Sequence, residues 1–190
     1  MLRFTDSLTG EKADFVPREE GKASIYWCGP TVYDVPHLGH ARSTLAFDLL
    51  VRYLRWTGLD VTAVSNITDI DDKIINRAAD EGSTEPEVAS RYEATFIEQM
   101  DRLNVAHPDL RPRATEYVDR MVEVIGELVE REMAYTTDSG VYFDVDRLGE
   151  YGALVGRSVD DLREGAGARV DVDDDKADPL DFALWKAAKP

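Results

Sequence analysis

The chain holds one cysteine and three histidines, and three of these four residues fall within thirteen positions: Cys28, His37 and His40. They lie in the stretch YWCGPTVYDVPHLGHAR, Tyr26 to Arg42. Imidazoles three positions apart at a helix start project to one side. Aimed at a phosphate, two imidazoles donate hydrogen bonds that strengthen as charge builds on a pentavalent phosphorus. Gly39, between them, removes a side chain where a flat ligand approaches the backbone. Cys28 offers a soft thiolate of the kind zinc prefers, although a lone cysteine serves equally as a small hydrophobe. Farther on, Thr68 precedes Asp69, Asp71 and Asp72. Such carboxylates suit magnesium, but acids at a helix start are also favoured by its dipole.

These groups need elements to hold them. The run 22–28 reads as a strand ending at Cys28, and the loop 29–36 carries two prolines that delay a helix. From Leu38 to Thr57 apolar residues recur at helical spacing, and Gly58 fits a stop. Residues 59–65 form a second strand, apolar enough to be covered on both faces. Strand, helix and strand in this order predict a parallel βαβ unit. A loop leading from a strand's carboxyl end into a helix N-terminus is where open α/β sheets bind ligands, and the helix end favours an anion. Thr68 with Asp71 resembles a capping box opening a helix to about Asp80, closed by Gly82. Further helices are expected at about Glu85–Leu103 and Ala114–Glu132, joined by the proline-punctuated connector 107–114. A hairpin is expected over 133–145, with Asp138-Ser139-Gly140 at its tip. The acidic run Asp171–Asp175 reads as a solvated loop.

The chain has 190 residues, 43% of them hydrophobic, enough for a core. No run approaches a membrane span or a secretory leader, so a cytoplasmic location is expected. One cysteine excludes an intrachain disulfide framework. With 22 basic against 38 acidic residues the net charge is −16. That average field does not attract nucleic acid, so any such contact is local or lies outside this chain.

The stretch YWCGPTVYDVPHLGHAR resembles the first signature of class I aminoacyl-tRNA synthetases, specifically the cysteinyl-tRNA synthetase family. His37-Leu38-Gly39-His40 matches the class's His-Ile-Gly-His. The likeness continues in NITDIDDKIINRA (66–78), PRATEY (112–117), GVYFDV (140–145), YGALVGRS (151–158) and DPLDFALWK (178–186). The resemblance implies ATP-dependent activation of L-cysteine to cysteinyl-adenylate, then transfer to tRNA(Cys), with Mg2+ accompanying ATP. It assigns ATP binding and phosphate stabilisation to His37 and His40, with Gly39 in the ATP site. It makes Cys28 a zinc ligand and places Cys28, Gly29 and Thr68 along the cysteine pocket. Zinc would bind the substrate thiolate, and a soft thiolate is a far better zinc ligand than a serine hydroxyl. A site built on one polar contact rejects the analogue lacking it by about 10⁴–10⁵-fold.

The implied fold is an incomplete Rossmann-like (HUP-type) parallel α/β nucleotide-binding fold with an α+β insertion. Residues 1–83 are expected to form its first half, 84–177 a mainly helical insertion, and 178–190 the start of the return. The sequence departs from the family pattern in lacking a second Cys, the partnering His and Glu, a Lys-Met-Ser-Lys-Ser loop and an anticodon-reading domain. Zinc is therefore not expected to be held tightly by this chain alone, nor the chain alone to be active. Two alternatives are a non-catalytic truncated paralogue or interaction module, and the related cysteine ligase of mycothiol biosynthesis.

Overall fold

The computed structural model describes residues 2–166 and 175–187. Their contacts gather into two compact units, Met1–Phe15 with Asp119–Pro190, and Val16–Val118. The sequence reading draws its lines elsewhere, after residues 83 and 177. The acidic run expected to be a solvated loop lies, up to residue 174, outside the described residues.

In the first unit, β1 (Arg3–Thr5) and β2 (Lys12–Asp14) form a short antiparallel hairpin. The second unit holds β3 (Lys22–Trp27), α1 (Leu38–Trp56) and β4 (Asp60–Ser65). β3 and β4 pair in parallel from Lys22↔Asp60 to Trp27↔Ser65, as the βαβ pattern predicts. α1 lies on this sheet, with Val51 and Leu54 buried. Both strands alternate: Ala23, Trp27, Val61, Ala63 and Ser65 are buried while Lys22, Ser24, Tyr26, Asp60 and Thr62 are exposed. The expectation that the second strand is covered on both faces is therefore corrected, because α1 covers one face and the other is exposed. Buried Asp48 of α1 binds Arg52 through both carboxylate oxygens and accepts the Ala106 N–H at 3.1 Å.

α2 (Asp72–Glu81) and α3 (Glu85–Arg102) follow. The cap of α2 is Asp71, whose carboxylate accepts the Lys73 N–H at 2.9 Å, and not Thr68. Thr68 is unavailable because its backbone is spent on the loop after β3: its N–H donates to the Pro30 carbonyl, and its carbonyl accepts from Val32. Gly82, at φ 63°, ends α2 in the left-handed conformation. α3 opens on a capping box of Thr84 and Glu87. Ile74 and Ala78 of α2 pack with Val88, Ala89, Tyr92, Phe96 and Met100 of α3, and with Val32 and Ile67 from the strand ends. This shared core keeps α3 in the unit with β3 and β4.

The connector 107–114 does more than link helices. Leu110 donates to the Ala63 carbonyl and accepts from Ser65, and Ile67 donates to Pro112 and accepts from Ala114. These contacts make two parallel bridges, Val64↔Leu110 and Ile67↔Arg113, along the free edge of β4. Asp109 accepts the Ala63 N–H at 2.7 Å and binds Arg55, and chiefly that backbone bond holds its carboxyl below the usual range. Arg113 grips the buried Glu93 of α3 through two hydrogen bonds, at 2.7 and 2.9 Å. Residues 109–113 thus extend the parallel sheet beyond β4, reached by the crossover through α2 and α3.

The helix expected over 114–132 is a 3-10 turn, Ala114–Tyr117, followed by α4 (Val118–Glu130). Beyond it lie the predicted hairpin strands β5 (Ala134–Thr137) and β6 (Gly140–Phe143), then α5 (Val159–Ala166). β7 (Phe182–Lys186) joins β6 antiparallel and completes a three-stranded sheet. Asp181, 2% exposed, accepts hydrogen bonds from the Tyr135 hydroxyl and from the Val145 and Asp178 N–H groups. Burial, and then that carboxylate, push the Tyr135 phenol up to about 12. Among the described residues no helix is long and apolar enough to cross a membrane.

Candidate functional site

The carboxyl edge of the parallel sheet gathers the residues singled out by the sequence. Cys28 follows the last residue of β3 and is exposed. Gly29 comes next, and its N–H donates to Asn66 Oδ1 at 2.8 Å. A Cβ on Gly29 would stand 1.6 Å from the Asn66 carbonyl oxygen, so only glycine allows the two strand exits to run this close. Thr68 lies on the matching exit of β4, paired in parallel with Thr31. Its Oγ1 accepts from Asn66 Nδ2 at 3.3 Å.

His37 and His40 occupy the N-terminus of α1, where the loop from β3 enters it. His37 caps the helix: its Nδ1 accepts the Gly39 N–H at 3.0 Å. His40 reaches back, its Nδ1 accepting the His37 N–H at 3.1 Å. The rings stack, with centroids 4.0 Å apart, and Phe96 of α3 meets His40 edge-on. This reciprocal arrangement fixes the chemistry of both rings. A neutral imidazole whose Nδ1 accepts a hydrogen bond carries its proton on Nε2. Each histidine therefore keeps one Nε2–H donor, and neither Nε2 has a protein partner among the described residues. Burial, and then the neighbouring His37, lower the pKa of His40 and favour its neutral form.

Gly39 acts differently from the sequence expectation. The space a Cβ would fill is held by the His37 ring, whose Cε1 and Nδ1 would be 2.8 and 2.9 Å away. Glycine there admits the capping imidazole. The first turn of α1 contains no acid, whereas α2, α3, α4 and α5 each open with one or more. The positive end of the α1 dipole is thus left without a carboxylate of its own helix.

Two of the remaining acids serve the fold. Asp69 accepts the N–H and hydroxyl of Thr115, and Asp71 caps α2. Among the described residues no three His, Cys, Asp or Glu side chains converge to hold a metal ion. Cys28 offers one sulfur where a zinc site needs three or four protein ligands, so the described residues do not make up such a site. The structure also brings in Asn66, to which the sequence reading gave no role although it opens the block NITDIDDKIINRA. No hydrogen bond or ring contact among the described residues joins the histidine pair to Cys28, Gly29 or Thr68; what they share is the sheet edge.

Residues 14–190 match the family of tRNA synthetases class I (C) catalytic domains. The chain belongs to that family. It is 54% identical to the "Cysteine--tRNA ligase" of Oleidesulfovibrio alaskensis and 56% to that of Nitratidesulfovibrio vulgaris strain Miyazaki F. Both matches span 190 residues, the whole of this chain and 39% of each relative. Among solved structures, Mycobacterium tuberculosis methionyl-tRNA synthetase in complex with methionyl-adenylate superposes with a TM-score of 0.54 at 23% identity. That likeness covers 65% of this chain and 25% of the other. The LeuRS of Agrobacterium radiobacter K84, in its ternary complex, gives 0.56 at 20% identity, over 70% and 18%. These two likenesses show the fold alone, part of a Rossmann-like α/β domain. The family is one of aminoacyl-tRNA synthetases, enzymes built on a nucleotide-binding fold.

Proposed function

We propose that this chain supplies one half of the active site of a cysteine–tRNA ligase. The observation that carries the proposal is the reciprocal cap of His37 and His40, which leaves two Nε2–H donors at the start of a helix whose own first turn holds no acid. The relatives' name supports cysteine as the amino acid and tRNA as the acceptor.

In the proposed reaction a carboxylate oxygen of L-cysteine attacks the α-phosphorus of ATP. The bond to the β-phosphate oxygen breaks, and pyrophosphate leaves. A ribose hydroxyl of the terminal adenosine of tRNA(Cys) then attacks the carbonyl carbon of the mixed anhydride and releases AMP. His37 and His40 donate to the phosphate oxygens, more strongly as their charge grows in the transition state. The α1 N-terminus adds its dipole. Gly39 contributes by seating His37. Cys28, Gly29 and Thr68 form one wall of the amino-acid pocket on the same sheet edge. Mg2+ would accompany ATP. Zinc, with Cys28 as a ligand, would need its other ligands from beyond the described residues, so no step is routed through it. The reaction belongs in the cytoplasm, where charged tRNA is used.

The test is cysteine-dependent exchange of pyrophosphate into ATP. A chimera in which this chain replaces the matching segment of the O. alaskensis relative is expected to exchange with cysteine and not with serine. The 190-residue chain alone is expected to show none, because several transition-state contacts, each typically worth about 10²–10³-fold in rate, lie in the rest of the relatives' length. A folded chimera without exchange, or robust exchange by the chain alone, would overturn the half-site reading.

A further inference from the structure

Asn66 sits where the two strand exits of the proposed amino-acid pocket meet, and its carboxamide touches both. Its oxygen accepts the Gly29 N–H at 2.8 Å, and its nitrogen faces Thr68 Oγ1 at 3.3 Å. The orientation of this amide follows from its partners. A backbone N–H can only donate, so the oxygen must face Gly29, and the NH2 group is left for Thr68. A hydroxyl that accepts from the NH2 group keeps its own proton free. Thr68 is held in place by its backbone as well, bonded to Pro30 and Val32. Its remaining freedom is rotation about the Cα–Cβ and C–O bonds, and Asn66 restricts both: it holds the oxygen, and its NH2 group turns the hydroxyl proton away from itself.

We infer that Asn66 is a positioning residue for amino-acid binding: it locks the Thr68 hydroxyl as a donor and ties it to the Cys28–Gly29 exit. The inference rests on the reading of Thr68 as a wall of that pocket. The chemistry suits the substrate. Cysteine brings a carboxylate and an ionisable thiol, both acceptors when charged, and a donor hydroxyl serves either. A hydroxyl turned to present its lone pairs repels both. Asn66 does this through Thr68 and touches no reacting atom itself.

The experiment uses the chimera with the O. alaskensis ligase and reads KM and kcat of pyrophosphate exchange for cysteine and for ATP. Asn66→Asp is nearly isosteric and keeps the acceptor for Gly29, but its second oxygen cannot donate. The Thr68 hydroxyl must then turn and donate to it. Asn66→Asp is expected to raise the cysteine KM by about 10- to 100-fold, the range of a hydrogen bond to a charged group, and to leave the ATP KM unchanged. Thr68→Val is expected to raise the cysteine KM similarly, and Thr68→Ser to restore it. In the Thr68→Val background, Asn66→Asp should add nothing further, since its route is gone. Should Asn66→Asp fail to fold, Asn66→Ser, too short to span both partners, is expected to show the same KM effect and the same loss of additivity. A purely structural role would move kcat and both KM values together and add to Thr68→Val. That result, or an unchanged cysteine KM in the Asn66 variants beside a raised one in Thr68→Val, overturns the inference and leaves the pocket reading standing. An unchanged cysteine KM in Thr68→Val overturns both.

Discussion

Substituting asparagine for His40 in the chimeric ligase lowers the rate of adenylate formation by an expected 10²–10³-fold or so, the usual effect of losing one well-placed electrostatic donor. The choice of asparagine matters. His40 has two tasks: Nδ1 accepts the His37 N–H at 3.1 Å, and Nε2–H is left for the substrate. The amide oxygen of asparagine stands near the position of Nδ1 and can keep the cap, while nothing replaces Nε2–H. ATP binding should weaken far less than kcat falls, because the lost bond is proposed to strengthen in the transition state. Titrating single-turnover adenylate formation against ATP separates the two quantities. An unchanged rate, or a loss confined to ATP affinity, would remove His40 from phosphate stabilisation. Protonation bears on the same atoms. The folded-state pKa of His40 lies below its ordinary 6.5. As pH falls below 6.5 the unfolded chain takes up this proton before the folded one, so the contribution of the neutral cap is complete above 6.5 and is lost through the folded pKa. Burial, and then the neighbouring His37, are the causes of that loss, and a protonated Nδ1 can no longer accept from the His37 N–H.

Gly29→Ala is the substitution expected to damage the fold most. The added methyl would fall 1.6 Å from the Asn66 carbonyl oxygen and 2.8 Å from its carbon, both backbone atoms that cannot swing aside as a side chain would. The strand exits must part, and the bonds from Gly29 to Asn66 and from Thr68 to Pro30 are strained or broken. Overpacking typically costs about 1–3 kcal/mol and at times more, and backbone on the receiving side puts this case at or above the top of that range. Gly126 provides the contrast. It lies inside α4 with open space around its would-be Cβ, so Gly126→Ala should stabilise by roughly 0.5–1 kcal/mol. Urea unfolding of the two variants reads both effects. A Gly29→Ala chain as stable as the parent would mean that the strand exits are not held as close as described.

Much of the frame was legible because local rules and packing agree there. The apolar rhythm from Leu38 onward predicts α1 to within a residue, and Gly58 and Gly82 mark helix ends by their positive φ. Other features answer to partners distant in sequence. Two prolines in the connector hide the parallel bridges at Leu110 and Arg113, since the strand there is made by β4 offering an edge. Thr68 and Asp71 both fit a helix cap, and the choice falls to Asp71 because the loop after β3, more than thirty residues earlier, engages the Thr68 backbone. Whether one or both faces of β4 are covered depends on what packs there, which strand composition does not encode. β1, β2 and β7 are short and largely exposed, so no alternation announces them. At the site, the His37/His40 pair was visible as a motif, but the use of each ring nitrogen follows only from the geometry of the cap. Asn66 stayed hidden because its main partner is 37 residues away.

The reading of this chain as an adenylate-forming half-site turns on two imidazoles that each hold a proton at Nε2 and spend Nδ1 on the backbone. Long-range 1H–15N correlation of the histidine side chains, recorded on the 190-residue chain at neutral pH, measures this directly. His107, whose Nε2 bonds Asp101 at 2.7 Å, provides an internal comparison outside the pair. His37 and His40 are expected to show a protonated, pyrrole-like Nε2 and an unprotonated, pyridine-like Nδ1. A proton on Nδ1 of either ring, or a doubly protonated His40, would contradict the reciprocal cap and with it the two donors on which the proposed chemistry rests.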